Sequence, residues 1–168
     1  MKNNFEYYKK IEQQGIDSAK QYIQELFHEH KVEFEDTELE QDKLGVDSYM
    51  YINYSKFAID FKICEDKQYY WNKYNSGDQD ILIEKQQSNG KSWIDHRNEN
   101  IWIAYAWPTT DHTKYKKLIM IHMSELSKII DYAIEKKRPT YKTTFTNTDN
   151  WFFKIRELDK LNIKYYSL

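Results

Sequence analysis

Residues 44–63 read Leu44-Gly45-Val46-Asp47-Ser48-Tyr49-Met50-Tyr51-Ile52-Asn53-Tyr54-Ser55-Lys56-Phe57-Ala58-Ile59-Asp60-Phe61-Lys62-Ile63. From Leu44 the pattern has a period of two. Val46, Ser48, Met50 and Ile52 fall on one face, and Asp47, Tyr49 and Tyr51 on the other. Asn53 to Lys56 reads as a turn, and Phe57 to Ile63 alternates again, so the stretch predicts a β-hairpin. Successive side chains of a strand point to opposite faces. Ile59, Phe61 and Ile63 therefore enter a core together, while Asp60 and Lys62 project side by side on the opposite face. Asp47, on the preceding strand, can approach them across the hairpin.

Upstream, the first thirty residues carry helical spacing: Ile16, Ala19, Tyr22, Ile23, Leu26 and Phe27 share a face, and Gly15 leaves open whether the helix breaks there or runs through. Val32 and Phe34 suggest a short strand in an acidic segment. Downstream, Ile81 to Ile83, Ile101 to Trp107 and Lys117 to His122 read as strands. Ser124 is placed to cap a helix from about Glu125 to Lys137, with Leu126, Ile129, Ile130, Ala133 and Ile134 on its apolar face. A strand over Trp151 to Ile155 and a short helix through Leu161 complete the reading. Helix, hairpin, further strands and helix predict an α/β fold, with a central mixed β-sheet (an antiparallel hairpin plus further strands) flanked by helices.

The 168 residues suit one domain, 1–168, because no linker, repeat or low-complexity tract divides them. The formal net charge of -2 argues against a protein that merely coats nucleic acid, so phosphate contacts would have to be local. The single cysteine, Cys64, ends an apolar run and reads as a buried thiol; one cysteine cannot form a disulfide framework or a thiolate zinc site within the chain. The start MKNNFEYYKK has no apolar region of the secretory kind, and no window is apolar enough to span a membrane. A cytoplasmic protein with no membrane partner is the expectation.

Two carboxylates beside an ammonium form a hard, oxygen-rich site that suits Mg²⁺ or Mn²⁺. Such an ion polarises a phosphoryl oxygen and acidifies a bound water, and a lysine can orient that water or stabilise developing phosphate charge. A phosphate-cradling glycine loop, a G-x-S-x-G elbow and a Cys-His nucleophile pair are all absent from the sequence.

An Asp, a turn and an Asp-x-Lys strand resemble the PD-(D/E)XK nuclease superfamily, the restriction-endonuclease-like enzymes. The likeness covers roughly residues 15–122, with the Gly45-Val46 lead-in and the apolar frame of Asp60 included. It implies a core of a helix, a three-stranded meander, a helix and another strand. It implies Asp47, Asp60 and Lys62 as catalytic residues, Mg²⁺ or Mn²⁺ as cofactor, and nucleic acid, DNA first, as partner. The activity it implies is that of an endonuclease or junction-resolvase-like enzyme, with a homodimer as one arrangement. Val46 stands where the family's naming Pro would be. Acidic-x-Lys also occurs at Glu29, Glu65 and Glu135, so strand context, not the triplet, singles out Asp60.

Glu84 and Gln86 offer another second motif, since Glu-x-Gln is a family variation. In the preferred assignment Glu84 is instead an additional metal contact, or a strand-end Glu in solvent. From the first helix, Glu29 flanks the apolar stripe, Glu25 points away, and Glu12 joins the stripe if Gly15 does not interrupt it.

Weaker signals have structural readings beside the functional ones. Trp93, Asp95, His96 and Arg97 read as an anchored loop or a nucleic-acid contact. His112 lacks ligand-spaced partners, and His122 reads as a packed strand histidine. Lys114 to Lys117 and Lys136 to Arg138 read as phosphate contacts or solvated surface. Tyr69-Tyr70-Trp71 and Tyr165-Tyr166 read as packing or a stacking platform. Two rival functions remain. A nuclease-fold binding protein or inhibitor, such as a mobile element's anti-defence protein, would use the acidic run Glu33 to Asp42 to imitate phosphates. A structural subunit of a larger nucleic-acid-processing complex is the other.

Overall fold

A computed structural model of the chain describes residues 2–37, 46–63, 80–86, 100–108, 115–142 and 148–167. In chain order the described elements begin with helix α1 (Lys2–Leu26) and strands β1 (Val32–Asp36), β2 (Ser48–Ile52), β3 (Ser55–Ile63), β4 (Asp80–Gln86), β5 (Ile101–Pro108) and β6 (Tyr115–His122). Helix α2 (Met123–Glu135), strands β7 (Tyr141–Lys142) and β8 (Asp149–Lys154), helix α3 (Ile155–Lys160) and strand β9 (Tyr166–Ser167) follow.

The alternation over residues 46–63 produces the expected antiparallel hairpin, with Ser48 opposite Ile59 and Met50 opposite Phe57. Its turn is tighter than the four residues expected. Ile52 pairs with Ser55, leaving Asn53 and Tyr54 as a two-residue loop with φ of 47° and 73°. Positive φ at both positions marks a type I′ turn, whose twist matches that of the flanking strands.

The chain divides into two compact units, each made of separate stretches of sequence. The first holds residues 1–68, 101–120 and 166–168. Its six-stranded sheet runs β1-β2-β3-β5-β6-β9. The strands β1, β2 and β3 form an antiparallel meander, and β5 lies parallel to β3, with Asp60 opposite Ile103 and Lys62 opposite Tyr105. The sheet is therefore mixed, as expected.

Helix α1 lies on this sheet and runs through Gly15 without a break. A helical glycine costs about 1 kcal/mol relative to alanine, but Gly15, Ala19 and Ile23 are all buried at four-residue spacing. The missing side chain lies on the packed face, where small residues permit close approach. Ala19 and Ile23 join Met50, Ile59, Phe61 and Ala104 in one core. Tyr166 sets its ring against Phe27 and Trp102, 6.0 and 5.6 Å between centroids, so this tyrosine packs as a sheet-edge residue.

The second unit holds residues 69–100 and 121–165. Strand β8 is the middle of a three-stranded antiparallel sheet, β4-β8-β7, with Ile81 opposite Phe153 and Ile83 opposite Trp151. These four side chains are at most 2% exposed. Helix α2 buries Leu126, Ile129, Ile130 and Ala133, whereas Ile134, expected on the same face, is 49% exposed. Its N-cap is His122 rather than Ser124. The His122 Nδ1 accepts the Ser124 N–H at 3.3 Å, and Nε2 meets Asn100 Oδ1 at 2.9 Å. The imidazole supplies the acceptor that the caps Ser, Thr, Asp and Asn ordinarily provide.

Past α2, Lys137 takes a left-handed turn, φ 49°, and Arg138 folds back. Its guanidinium grips Glu157 with two bonds, 2.8 and 3.1 Å, donates to the Phe152 carbonyl at 2.7 Å and lies 3.9 Å over the Phe153 ring. Glu157 also accepts the Lys154 N–H at 2.7 Å, closing the first turn of α3. The Arg138 of a supposed phosphate-binding run is therefore a structural clamp.

Candidate metal centre

Asp47 precedes β2 by one residue, and its main chain is pinned from two sides. Its N–H donates to the Ile59 carbonyl at 3.0 Å. Its carbonyl accepts from the Thr37 N–H at 3.3 Å and from Thr37 Oγ1 at 3.0 Å; the same hydroxyl meets the Val46 carbonyl at 2.6 Å. Thr37 thus ties the end of β1 to the start of β2. The ladder between β2 and β3 stops at Ser48 opposite Ile59. Beyond it the Phe61 N–H finds its acceptor in Asp47 Oδ2, at 2.6 Å. The carboxylate is held against the segment that carries Asp60 and Lys62.

Asp60 and Lys62 share a face of β3, as alternation requires. Lys62 Nζ lies 2.9 Å from Asp60 Oδ2. This ion pair does not stand on a solvated surface, because Asp60 is 4% exposed. Burial pushes the Asp60 carboxyl up to about 7; Lys62 opposes that shift, and the Asp47 carboxyl, within hydrogen-bonding reach, adds to it. Asp47, Asp60 and Lys62 therefore converge within the first unit.

Glu84 is on β4 of the second unit, opposite Asn150 and beside a register shift that ends at Gln86. Helix α1 stops at Leu26, so Glu29 lies beyond it and is exposed, as are Glu25 and Glu12. Among the described residues no group of three or more His, Cys, Asp or Glu side chains is placed to hold a metal ion. Cys64, Tyr69, Tyr70, Trp71, Trp93, Asp95, His96, Arg97, His112 and Lys114 lie outside the described residues.

The acidic run is engaged locally. Glu33 pairs with Lys31 at 2.8 Å, Glu35 with Lys56 at 3.9 Å and with the Tyr51 hydroxyl, and Asp36 with Lys20 and, at 3.0 Å, Ser48. The Lys20 hydrogen bond holds Asp36 below the usual carboxylate range. These are surface ion pairs whose carboxylates remain largely exposed.

The sequence matches no protein-family model, no curated protein and no solved structure. Among the described residues no helix is long and apolar enough to cross a membrane.

Chemically, two carboxylates face one ammonium; burial is what chiefly raises the Asp60 carboxyl, and the neighbouring Asp47 carboxylate adds to it. A divalent cation offsets two such carboxylates. Mg²⁺ binds one or two carboxylates and completes its shell with water and substrate phosphate. The donor set of Asp47 and Asp60 fits that requirement without a third carboxylate.

Proposed function

We propose that this chain is a divalent-metal-dependent nuclease that hydrolyses phosphodiester bonds in DNA, as an endonuclease or a junction-resolvase-like enzyme. One observation carries the reading: a buried Asp60, its ion-paired Lys62 and an Asp47 locked to the Phe61 N–H meet at one point of the sheet. Helix α1, the meander β1-β2-β3 and a strand β5 parallel to β3 support the resemblance to the PD-(D/E)XK enzymes. The helix that the resemblance implies between the meander and that strand has no counterpart among the described residues, where β4 is found instead.

Asp47 and Asp60 would hold Mg²⁺ or Mn²⁺, which supplies an acidified water and a polarised phosphoryl oxygen. The Phe61 N–H fixes the Asp47 carboxylate in direction. Lys62 holds Asp60 in place and offers an ammonium to the charge that grows on the phosphoryl group. The burial of Asp60 strengthens its pairing with Lys62, whose own side chain is 32% exposed.

The test is cleavage of linear duplex, single-stranded and four-way-junction DNA in Mg²⁺, Mn²⁺ or EDTA. Wild type is expected to cut in either metal and not in EDTA. Asp60→Asn and Lys62→Ala, with folding verified by circular dichroism, are expected to lose about 100-fold or more of the rate. Full cleavage by both folded variants would remove this site from the chemistry. Absence of cleavage by wild type on every substrate would favour the binding-protein reading.

A further inference from the structure

The hairpin face that bears Asp47 and Asp60 continues away from them through Tyr49, Tyr51 and Lys56. Tyr49 and Tyr51 stand on β2, two and four residues after Asp47, and their side chains are about 7 Å apart. Both rings are half-buried, and the Lys56 side chain is 48% exposed. Lys56 crosses from β3, with its Nζ 3.6 Å from the Tyr49 ring centroid and 5.5 Å from that of Tyr51. Opposite Tyr49 stands Ala58, whose side chain is a single methyl group.

Charge on this strip is balanced. Glu35, opposite Tyr49, is answered by Lys56 and the Tyr51 hydroxyl; Glu33, opposite Tyr51, is answered by Lys31. A balanced strip gives phosphates little reason to settle. Two aromatic rings with a cation across them do suit the flat, uncharged faces of nucleobases. Bases in a duplex are stacked inside it, whereas a single strand leaves their faces free.

We propose that Tyr49 and Tyr51 are a stacking platform for unpaired bases of a single-stranded nucleic-acid segment. Lys56 neutralises Glu35 and braces the rings. That the strand leads onward to Asp47 and Asp60 rests on the nuclease reading; the binding itself does not.

The experiment is fluorescence anisotropy in EDTA, with a labelled single-stranded oligonucleotide and the same sequence as duplex. Wild type is expected to bind the single strand about tenfold or more tightly than the duplex. The double variant Tyr49→Leu/Tyr51→Leu keeps apolar side chains on the strand but removes the rings, and is expected to lose about tenfold or more in affinity. Tyr49→Phe/Tyr51→Phe keeps the rings and is expected to bind within about twofold of wild type. Wild-type affinity in the Leu pair, equal affinity for duplex, loss of binding in the Phe pair, or no binding by wild type would each overturn the platform. Asp60→Asn separates the two proposals, since it is expected to bind as wild type does and not to cleave. Ring-dependent binding without wild-type cleavage would sink the nuclease and leave the platform; cleavage with no effect of the Leu pair would do the reverse.

Discussion

Asp60 is placed where its own fold works against its charge. Its carboxyl is raised to about 7 by burial, against Lys62 and with the help of Asp47. The folded protein therefore keeps a proton that the unfolded chain releases near 4. That contribution to stability is complete below the unfolded value and is lost as pH rises through about 7. Urea denaturation in EDTA should give a protein less stable at about pH 8 than at about pH 5, by an amount on the order of 2–4 kcal/mol. Asp60→Asn should flatten the difference and raise stability at the higher pH; an unchanged pH slope would contradict this account. The convergence of Asp60 and Lys62 was legible in the sequence, because strand alternation alone puts them side by side. The supports were not. Thr37 acts on the carbonyls of Val46 and Asp47, and Arg138 on Glu157 and Phe152. Contacts that cross nine to nineteen residues leave no local periodicity to read.

Among elements, the hairpin β2–β3 was the most readable, since period-two alternation requires no knowledge of the rest of the fold. Its turn was read less well, because Tyr54 holds a position that type I′ turns usually give to glycine. Tyr54 adopts φ 73° with its side chain 92% exposed. Left-handed backbone costs a non-glycine residue roughly 1–2 kcal/mol, and here no burial repays it. Tyr54→Gly should stabilise the protein by about 1 kcal/mol, read as a rise in the urea midpoint at constant slope. A fall in the midpoint would mean that the ring makes a contact worth more than the strain. Two other points at the level of elements were decided by packing. The choice left open at Gly15 falls to a continuous α1 because the glycine lies on the buried face, and Ser124 yielded the cap of α2 to His122 because the chain passes from β6 to the helix without a loop.

At the scale of the molecule, composition and length carry no information about which distant stretches assemble together. The two units interleave along the sequence, with the first recruiting residues 101–120 and 166–168 from beyond the second's opening segment. Within the second unit the Arg138–Glu157 clamp joins the exit of α2 to β8 and α3. Arg138→Met keeps an apolar stem over Phe153 but strips the charge, and should cost about 2–4 kcal/mol by leaving Glu157 poorly paired. Glu157 is desolvated, yet its bonds to Arg138 and to the Lys154 N–H hold it below the usual carboxylate range. A lowered carboxyl stabilises the fold above its unfolded value and ceases to do so as pH falls through the folded one. The penalty of Arg138→Met should therefore be fullest at neutral pH and shrink below about pH 4, as thermal unfolding across pH would record. A penalty independent of pH would assign the effect to lost packing instead.

The central claim is that Asp47 and Asp60 together bind a divalent cation, and calorimetric titration of Mn²⁺ tests it without any choice of substrate. Wild type is predicted to bind one Mn²⁺ per chain, with affinity lowered about tenfold or more in Asp47→Asn and in Asp60→Asn alike. Equal affinity in all three proteins, or no saturable binding by wild type, would contradict the metal centre and the nuclease built on it.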